Sequence, residues 1–195
     1  MLMRRLAPVL WILLAATLSL APPADATSVV GMNLRQLVAG SPSIVYGTVV
    51  SAECRWNEDR TMIVTDVRIL VVDALKGAAL PEVVLTQPGG VIGKLAVDVP
   101  GASAFRPGEE AVLFLAPGAG GRLSVNGLAQ GRFDVISDPV TGQKTVRGLR
   151  LEGMEAVGVT GAAQTPGIVM EPVPLNRFLG GLRALVEDVD AKGGK

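Results

Sequence analysis

The most informative absence from this 195-residue chain is histidine, which does not occur at all. Histidine is the usual general base near neutral pH and the commonest metal ligand in proteins. Its absence excludes Ser-His-Asp and Cys-His catalytic arrangements. A serine activated by lysine would need Lys76, Lys94 or Lys144, and none of these lies in a Ser-x-x-Lys spacing. An enzyme is therefore not expected.

Cysteine is almost as scarce, since Cys54 is the only one. One cysteine cannot form an intramolecular disulfide or supply the ligands of a zinc site. Two interpretations of Cys54 remain: a reactive or intermolecular thiol, or a partly buried small residue near a strand end, which we favour.

Aromatic residues make up only 4% of the chain, and 18 basic residues balance 18 acidic ones. Single-stranded nucleic-acid sites need stacking platforms and a basic groove, so no nucleic-acid partner is expected. The same scarcity argues against a sugar-binding cleft for paired carboxylates. The acidic clusters lack the spacing of a calcium loop and are interpreted as solvated surface; no cofactor or metal is expected. They are Glu58 with Asp59, Glu109 with Glu110, and Glu187, Asp188 and Asp190.

The amino terminus has the layout of a secretory signal peptide. Arg4 and Arg5 precede an apolar run that leads to small residues ending at Ala26. The run is shorter than the roughly 20 residues that span a bilayer, although an uncleaved anchor is an alternative. We therefore predict a signal peptide over 1–26, a secreted or periplasmic protein, and no stable membrane insertion after cleavage. Removing two basic residues and one acidic residue with it leaves 16 and 17, a net charge of about −1.

Alternating and buried apolar runs predict several short strands. The segment from Ile44 to Glu53 is β-prone, with Gly47 marking a bend or a close backbone approach. In TMIVTDVRILVVDALKG one face is almost wholly apolar and the other carries the charges, which is typical of a half-buried antiparallel strand. Further strands are predicted at Glu82 to Thr86, in AVLFL and LSVNG, and in GRFDVIS and KTVRGL, which DPVTGQ joins as a hairpin loop.

Helical patterns flank these strands. Met32, Leu34, Leu37 and Val38 recur at helical spacing near the start, and PLNRFLGGLRALVEDV has one apolar stripe near the end. The predicted organisation is a β-barrel domain over 27–173 with an irregular excursion at 150–172, a helix over 174–190 docked on the barrel, and a disordered tail over 191–195. The predicted fold class is mainly β: a small OB-like or netrin-like antiparallel barrel with a short N-terminal helix and an amphipathic C-terminal helix.

The glycine-rich stretch QPGGVIGKLAVDVPG could be read as a phosphate-binding loop. It lacks the spacing of GxxxxGK[ST], and the residues after Lys94 are strand-like and not helical. We interpret these glycines as positions where a strand bulges and turns. The apolar loop from Val99 to Arg106 is expected to pack on the protein itself, for example on the terminal helix, with a partner protein as the alternative.

The motifs SPSIVYGTVVSAE, VVDALKG, VVLTQPGG and RPGEEAVLFL resemble those of a family of secreted bacterial proteins of unassigned function. Their order is also similar to the netrin-like and tissue-inhibitor-of-metalloproteinase barrels, which are OB-fold variants. This likeness covers roughly Leu34 to Leu115 and implies the barrel fold. The inhibitors chelate zinc with an amino-terminal Cys-x-Cys motif, whereas the mature chain would begin Thr27-Ser28-Val29, so no inhibitory residue carries over.

One loop stands out as a contact surface. CRWNEDR places Trp56 between Arg55 and Arg60 at the predicted tip of the first hairpin, where it would serve as a binding anchor. The favoured alternative is that Trp56 folds back onto the barrel end. The expected function is non-enzymatic binding of another protein at the cell envelope or outside the cell. A protease inhibitor acting through this loop and a hydrolase are the alternatives.

Overall fold

The computed structural model describes residues 31–148 and 172–193. The predicted signal peptide lies outside them, as does the predicted excursion at 150–172 except for its last residue. None of the helices in these two ranges is long and apolar enough to cross a membrane.

Two helices and ten strands make up the described chain. In order they are α1 Leu34–Ala39, β1 Ser43–Trp56, β2 Ile63–Lys76, β3 Glu82–Pro88, β4 Gly90–Ile92, β5 Leu95–Val97, β6 Glu110–Pro117, β7 Leu123–Val125, β8 Arg132–Ser137, β9 Lys144–Arg147, β10 Val173–Pro174 and α2 Leu175–Gly193. Short 3₁₀ turns at Ala119–Gly121 and Leu128–Gly131 flank β7.

Five of the strands close into a barrel. The order is β1-β2-β3-β7-β6, and β6 pairs back onto β1. Neighbouring strands are antiparallel except β3 and β7, which run parallel and meet at Leu85 and Leu123. Closure covers the strand edges where β6 pairs with β1, over residues 43–48 of β1. The predicted mainly β, OB-like barrel with a helix near each end is confirmed.

The barrel continues on one side as a sheet extension. β8 pairs with β6, β9 with β8, and the two-residue β10 with β9. The β8–β9 hairpin is the one that DPVTGQ predicts. The Asp138 carboxylate stabilises its turn by accepting from the backbone N–H groups of Val140 and Thr141, each at 2.8 Å. These bonds hold the pKa of Asp138 below its usual range.

β1 bends along its pairing with β2. Its register against β2 shifts between Tyr46 and Gly47, and again between Val49 and Ser51. A Cβ on Gly47 would lie 2.5 Å from the Leu70 carbonyl oxygen. Only glycine fits this close approach, so the bend predicted at Gly47 is confirmed.

Two apolar cores lie on opposite faces of β1 and β6. The first fills the barrel: Val45, Val49, Val67, Ile69, Val83, Leu85, Phe105, Ala111, Leu113, Leu115 and Val125. The second lies between the outer face of the sheet and the two helices: Leu34, Leu37, Val38, Ile44, Tyr46, Leu75, Val112, Phe114, Phe133, Val135, Val146, Val173, Phe178, Leu179, Leu182, Leu185 and Val186. The ring centroids of Phe114 and Phe133 lie 5.5 Å apart and those of Phe133 and Phe178 lie 5.2 Å apart, which links sheet to helix.

This arrangement explains the unbroken apolar run AVLFL in β6. Successive side chains of a strand point to opposite faces. Leu113 therefore enters the barrel core, while Val112 and Phe114 enter the core under the helices. A strand buried on both faces reads as a continuous apolar run and not as an alternation.

The two helices are held by local signals and by each other. Asn33 begins α1 with a capping box, in which its side chain accepts from the Gln36 backbone N–H and the Gln36 side chain accepts from the Asn33 N–H. Arg35 of α1 pairs with Asp188 of α2 at 2.5 Å. α2 continues to Gly193, so residues 191–193, predicted as tail, are helical; Lys192 pairs with Asp188 one turn earlier at 2.7 Å.

Candidate functional site

The predicted contact loop lies at the end of a two-stranded arm. β1 and β2 each have 14 residues, but β6 pairs only with residues 43–48 of β1. The remainder of β1 continues beyond β6 and returns through the turn 57–62. The arm therefore presents its tip away from the β1–β6 pairing.

The turn at the tip is ordered by Asn57. Its side-chain oxygen accepts from the backbone N–H groups of Thr61 at 2.8 Å and Met62 at 3.1 Å, and its amide donates to the Thr61 hydroxyl at 3.0 Å. The Arg60 N–H donates to the Asn57 carbonyl at 3.0 Å. An asparagine that bonds the backbone ahead of it holds such a turn in one shape.

Trp56 is the last residue of β1 and is 38% exposed. It pairs with Ile63 and lies on the same face as Cys54, two residues earlier. The side chain is therefore partly available to solvent, and the alternative in which Trp56 folds back onto the barrel end stays a prediction.

Arg55 is not a free flank of the tryptophan. Its Nε and Nη2 donate to the two carboxylate oxygens of Asp66 at 2.6 and 3.1 Å, and its Nη1 donates to the Trp56 carbonyl at 3.0 Å. Burial raises the pKa of Asp66, but hydrogen bonds from Arg55 and Thr86 outweigh it, so the net pKa is lowered. Arg55 therefore acts within the fold, holding the arm to its neighbouring strands.

Arg60 lies at the turn itself, exposed and with a left-handed φ of 55°. Non-glycine residues adopt this conformation uncommonly, and here it lets the chain reverse between the strands. The three predicted residues therefore lie together at the end of the arm. Trp56 and Arg60 are presented outward, and Arg55 supports them.

The glycine-rich stretch covers one face of this arm. Gly89 and Gly90 have φ of 95° and 139°, and the chain turns there into the β4–β5 hairpin. A Cβ on Gly90 would lie 2.6 Å from Cys54 Sγ and 2.7 Å from Thr65 Oγ1. The chain turns at these glycines, as predicted from the sequence. Position 90 must be glycine because Cys54 and Thr65 lie too close to leave room for a Cβ.

Cys54 itself is exposed, which corrects the expectation of a partly buried thiol. Its sulfur lies 3.4 Å from Thr65 Oγ1 and accepts from the Val91 N–H at 3.4 Å. The β4–β5 hairpin contacts Cys54 from one side, through Gly90 and Val91. That hairpin exposes Val91 by 60% and Leu95 by 57%. We call Trp56, Arg60, Val91 and Leu95 the tip surface.

A second candidate is a groove of about 420 Å³ beside β6 and β8. Arg132 crosses it, donating to Glu109 at 2.9 Å, to Asp134 at 2.7 Å and to the Ala104 carbonyl. Its guanidinium also lies 4.4 Å from the ring centroid of Phe105. The loop 99–106 therefore packs on the barrel and on Arg132, and not on the terminal helix for which it was predicted.

Next to this groove lies a partly buried polar cluster of Tyr46, Glu110 and Lys144. Lys144 Nζ donates to the two oxygens of Glu110 at 2.8 and 2.7 Å and to the Tyr46 hydroxyl at 3.0 Å. The Tyr46 hydroxyl donates to Glu110. Sequence reasoning missed this cluster, because its members come from β1, β6 and β9; the one available signal was a tyrosine inside a buried strand.

The pKa of each group in the cluster is shifted further from neutral pH: those of Tyr46 and Lys144 are raised, and that of Glu110 is lowered. Burial, followed by the Glu110 hydrogen bond, raises the pKa of Tyr46. Burial raises the pKa of Glu110 too, but hydrogen bonds from Lys144 and Tyr46 outweigh it and lower the net pKa. The Glu110 hydrogen bond raises the pKa of Lys144. At neutral pH the lysine is charged, the carboxyl is ionised and the phenol is neutral, so each holds its ordinary protonation state.

The other lysine and acidic candidates are placed as follows. Lys76 donates to the Val38 carbonyl at 3.0 Å and pairs with Asp190 at 3.1 Å, while Lys94 is exposed on the β4–β5 turn. Glu58 and Asp59 are exposed at the arm tip, and Glu187 on α2. Within residues 31–148 and 172–193, no group of three or more acidic or cysteine side chains is arranged to hold a metal.

Comparison with known proteins found no matching family model, no matching curated protein and no matching solved structure.

Proposed function

We propose that the chain is an exported, non-enzymatic domain that binds another protein through the tip surface. The observation that carries the proposal is a partly exposed tryptophan on a turn whose backbone is already ordered by Asn57. Tryptophan and arginine are enriched among residues that dominate binding energy at interfaces. A rigid loop loses little conformational entropy on binding, which favours affinity.

The proposal includes no reaction. Two of the three lysines that would have to activate a serine already have partners. Lys144 bonds Glu110, and Lys76 bonds Asp190 and the Val38 carbonyl. A general base needs a pKa near the working pH, and the pKa shift of Lys144 is upward. These contacts favour a binding role over the hydrolase alternative.

We also infer kinship with a family of secreted bacterial proteins of unassigned function and with the netrin-like barrels. The support is the five-stranded closed barrel and the two helices packed on its outer face, together with the motif order. The inference concerns fold and export, and no residue role is transferred by it.

The test is affinity capture of proteins from outside the cytoplasm of the native host, followed by titration of a purified captured partner. Trp56→Ala should weaken that titrated affinity by about 2 kcal/mol or more, roughly 30-fold. Val140→Ala is the matched control, because Val140 is an exposed apolar residue in the turn of the β8–β9 hairpin, outside the tip surface. Thermal unfolding should show that both variants fold.

Equal affinity of Trp56→Ala and the wild type would overturn the assignment to the tip surface. A panel of secreted metalloproteases and serine proteases separates the inhibitor alternative: inhibition that Trp56→Ala removes would identify the partner as a protease. Turnover of a substrate by the purified protein would overturn the non-enzymatic proposal.

A further inference from the structure

The second half of β1 has an open backbone edge. β6 pairs with β1 only as far as Thr48, and the last contacts on that side are the hydrogen bonds of Val49 with Glu109 and Gly108. Across 31–148 and 172–193, no strand pairs with the outer edge of residues 51–56. β4 lies against the face of this segment, at Cys54, and not along its edge.

The alternation of the ladder identifies which backbone groups this edge offers. The Asn57 N–H donates to the Met62 carbonyl, so Asn57 faces β2. In an antiparallel pair every second residue faces the same neighbour. Arg55, Glu53 and Ser51 therefore also face β2, and the N–H and C=O groups of Ala52, Cys54 and Trp56 point outward.

The side chains of this edge are self-complementary. In an antiparallel pairing of two copies centred on Cys54, Glu53 of one copy lies directly opposite Arg55 of the other. The two-fold symmetry makes two such Glu53–Arg55 contacts. Glu53 is exposed and makes no ion pair with another described residue. Arg55 uses three of its five donors on Asp66 and the Trp56 carbonyl, which leaves two for a second carboxylate.

The backbone also favours a pairing centred on Cys54. The N–H and C=O groups of Cys54 face outward, so a two-fold axis can pass through the Cys54–Cys54 pair. The two copies then exchange both Cys54 hydrogen bonds, and Ala52 pairs with Trp56 on either side. Glu53 and Arg55 then form the non-hydrogen-bonded pairs, in which opposing side chains lie closest. We propose that residues 51–56 of β1 pair antiparallel with the same segment of a second copy of this chain.

The opposite interpretation is that Glu53 and Arg55 protect the edge from pairing, since charged side chains commonly do so. Charges protect an edge most strongly where like charges meet on approach. In the register centred on Cys54 opposite charges meet, so the pattern favours this pairing.

Sedimentation equilibrium of the exported protein under reducing conditions tests the proposal. The wild type and Cys54→Ser should both show a monomer–dimer equilibrium. Glu53→Arg should weaken the dimer at least about tenfold, because two opposite-charge contacts become like-charge contacts. Glu58→Arg carries the same charge change at the turn and should leave the dimer unchanged. Glu53→Gln should weaken it less than Glu53→Arg.

Spin labels report the register. In a Cys54→Ser background, Glu58→Cys places the labels on the two turns, just beyond opposite ends of the paired segments. The two Trp56 backbones are four residue steps apart in this register, so the labels should be separated by more than about 14 Å. A monomer at all concentrations, equal effects of Glu53→Arg and Glu58→Arg, or a shorter separation would each overturn the proposal. Partner binding is tested separately, because it relies on the Trp56 ring, whereas self-pairing relies on backbone groups and Glu53.

Discussion

At the scale of single residues, the clearest case is the polar cluster of Tyr46, Glu110 and Lys144. Charged and polar groups under a partly covered surface are stable only when they bond one another. Lys144 supplies donors to both of the others, and Glu110 accepts from both. The cluster thereby ties β9 to β1 and β6.

Replacing Glu110 by Gln tests this role. We expect Glu110→Gln to lower the free energy of unfolding by about 1–3 kcal/mol at pH 7, because Lys144 loses its charged acceptor. The measurement is urea unfolding followed by circular dichroism. Glu58→Gln, at the exposed turn, is the control and should change the free energy by less than about 0.5 kcal/mol.

The same variant has a defined pH dependence. The folded-state pKa of Glu110 is lowered, so its stabilisation is complete above the ordinary carboxyl pKa and is lost as the pH falls through the lowered value. The difference in stability between the wild type and Glu110→Gln should therefore shrink in acid. A constant difference from pH 7 down to pH 3 would contradict this cause.

At the scale of elements, α2 shows how tertiary contacts compensate for a weak local preference. The pair Gly180-Gly181 disfavours a helix, by about 1 kcal/mol per glycine relative to alanine. The helix nevertheless forms over 19 residues, because Phe178, Leu182 and Leu185 are buried against the sheet. Burial of the apolar stripe against the sheet supplies the stabilising free energy that the local helix propensity lacks.

Gly180→Ala should therefore stabilise the protein. Gly180 is exposed, has an ordinary helical φ, and a Cβ there would meet nothing within 4 Å. We expect a gain of about 0.5–1 kcal/mol in the free energy of unfolding, seen as a higher melting temperature. Ala184→Gly, at another exposed position of α2, is the inverse control and should cost a similar amount. A destabilising Gly180→Ala would show that the position has a role beyond helix propensity.

At the scale of the whole molecule, β1 and β6 are walls common to both cores. Leu113 and Phe114 are adjacent in sequence but point into different cores. A loss of packing in either core therefore displaces a strand on which the other core depends. The two cores should unfold together.

Leu113→Ala and Phe114→Ala test this coupling. The first should cost about 2–5 kcal/mol and the second about 3–5 kcal/mol, from lost burial and the cavity left behind. After removal of the predicted signal peptide Trp56 is the one tryptophan, so its fluorescence reports the arm while circular dichroism reports the whole. For both variants the two urea midpoints should coincide. Separate midpoints would mean that the cores unfold independently.

Much of the architecture could be predicted because it is encoded locally. Alternation in β2, the helical spacing of apolar residues in α1, the DPVTGQ turn and the stripe of α2 are short-range patterns with direct physical causes. The close approach at Gly47 was likewise predictable, since a glycine inside a β-prone run marks a place where a side chain does not fit.

Local patterns could not predict which strands become neighbours. The run AVLFL indicates burial, but only closure of the barrel on one side and docking of α2 on the other decides that both faces of β6 are covered. Tyr46, Glu110 and Lys144 lie on three strands, up to 98 residues apart. They meet only through the pairings of β6 with β1 and β8 and of β8 with β9.

The sequence by itself determined the elements, their turns and the presence of Trp56 and Arg60 at a hairpin tip, because each depends on neighbours a few residues away. Only the tertiary structure decided that Arg55 is held by Asp66, that the glycine-rich hairpin covers Cys54, and that the end of β1 keeps an open edge. Those features depend on long-range strand pairing, which brings together groups whose chemistry is unrelated in the linear chain.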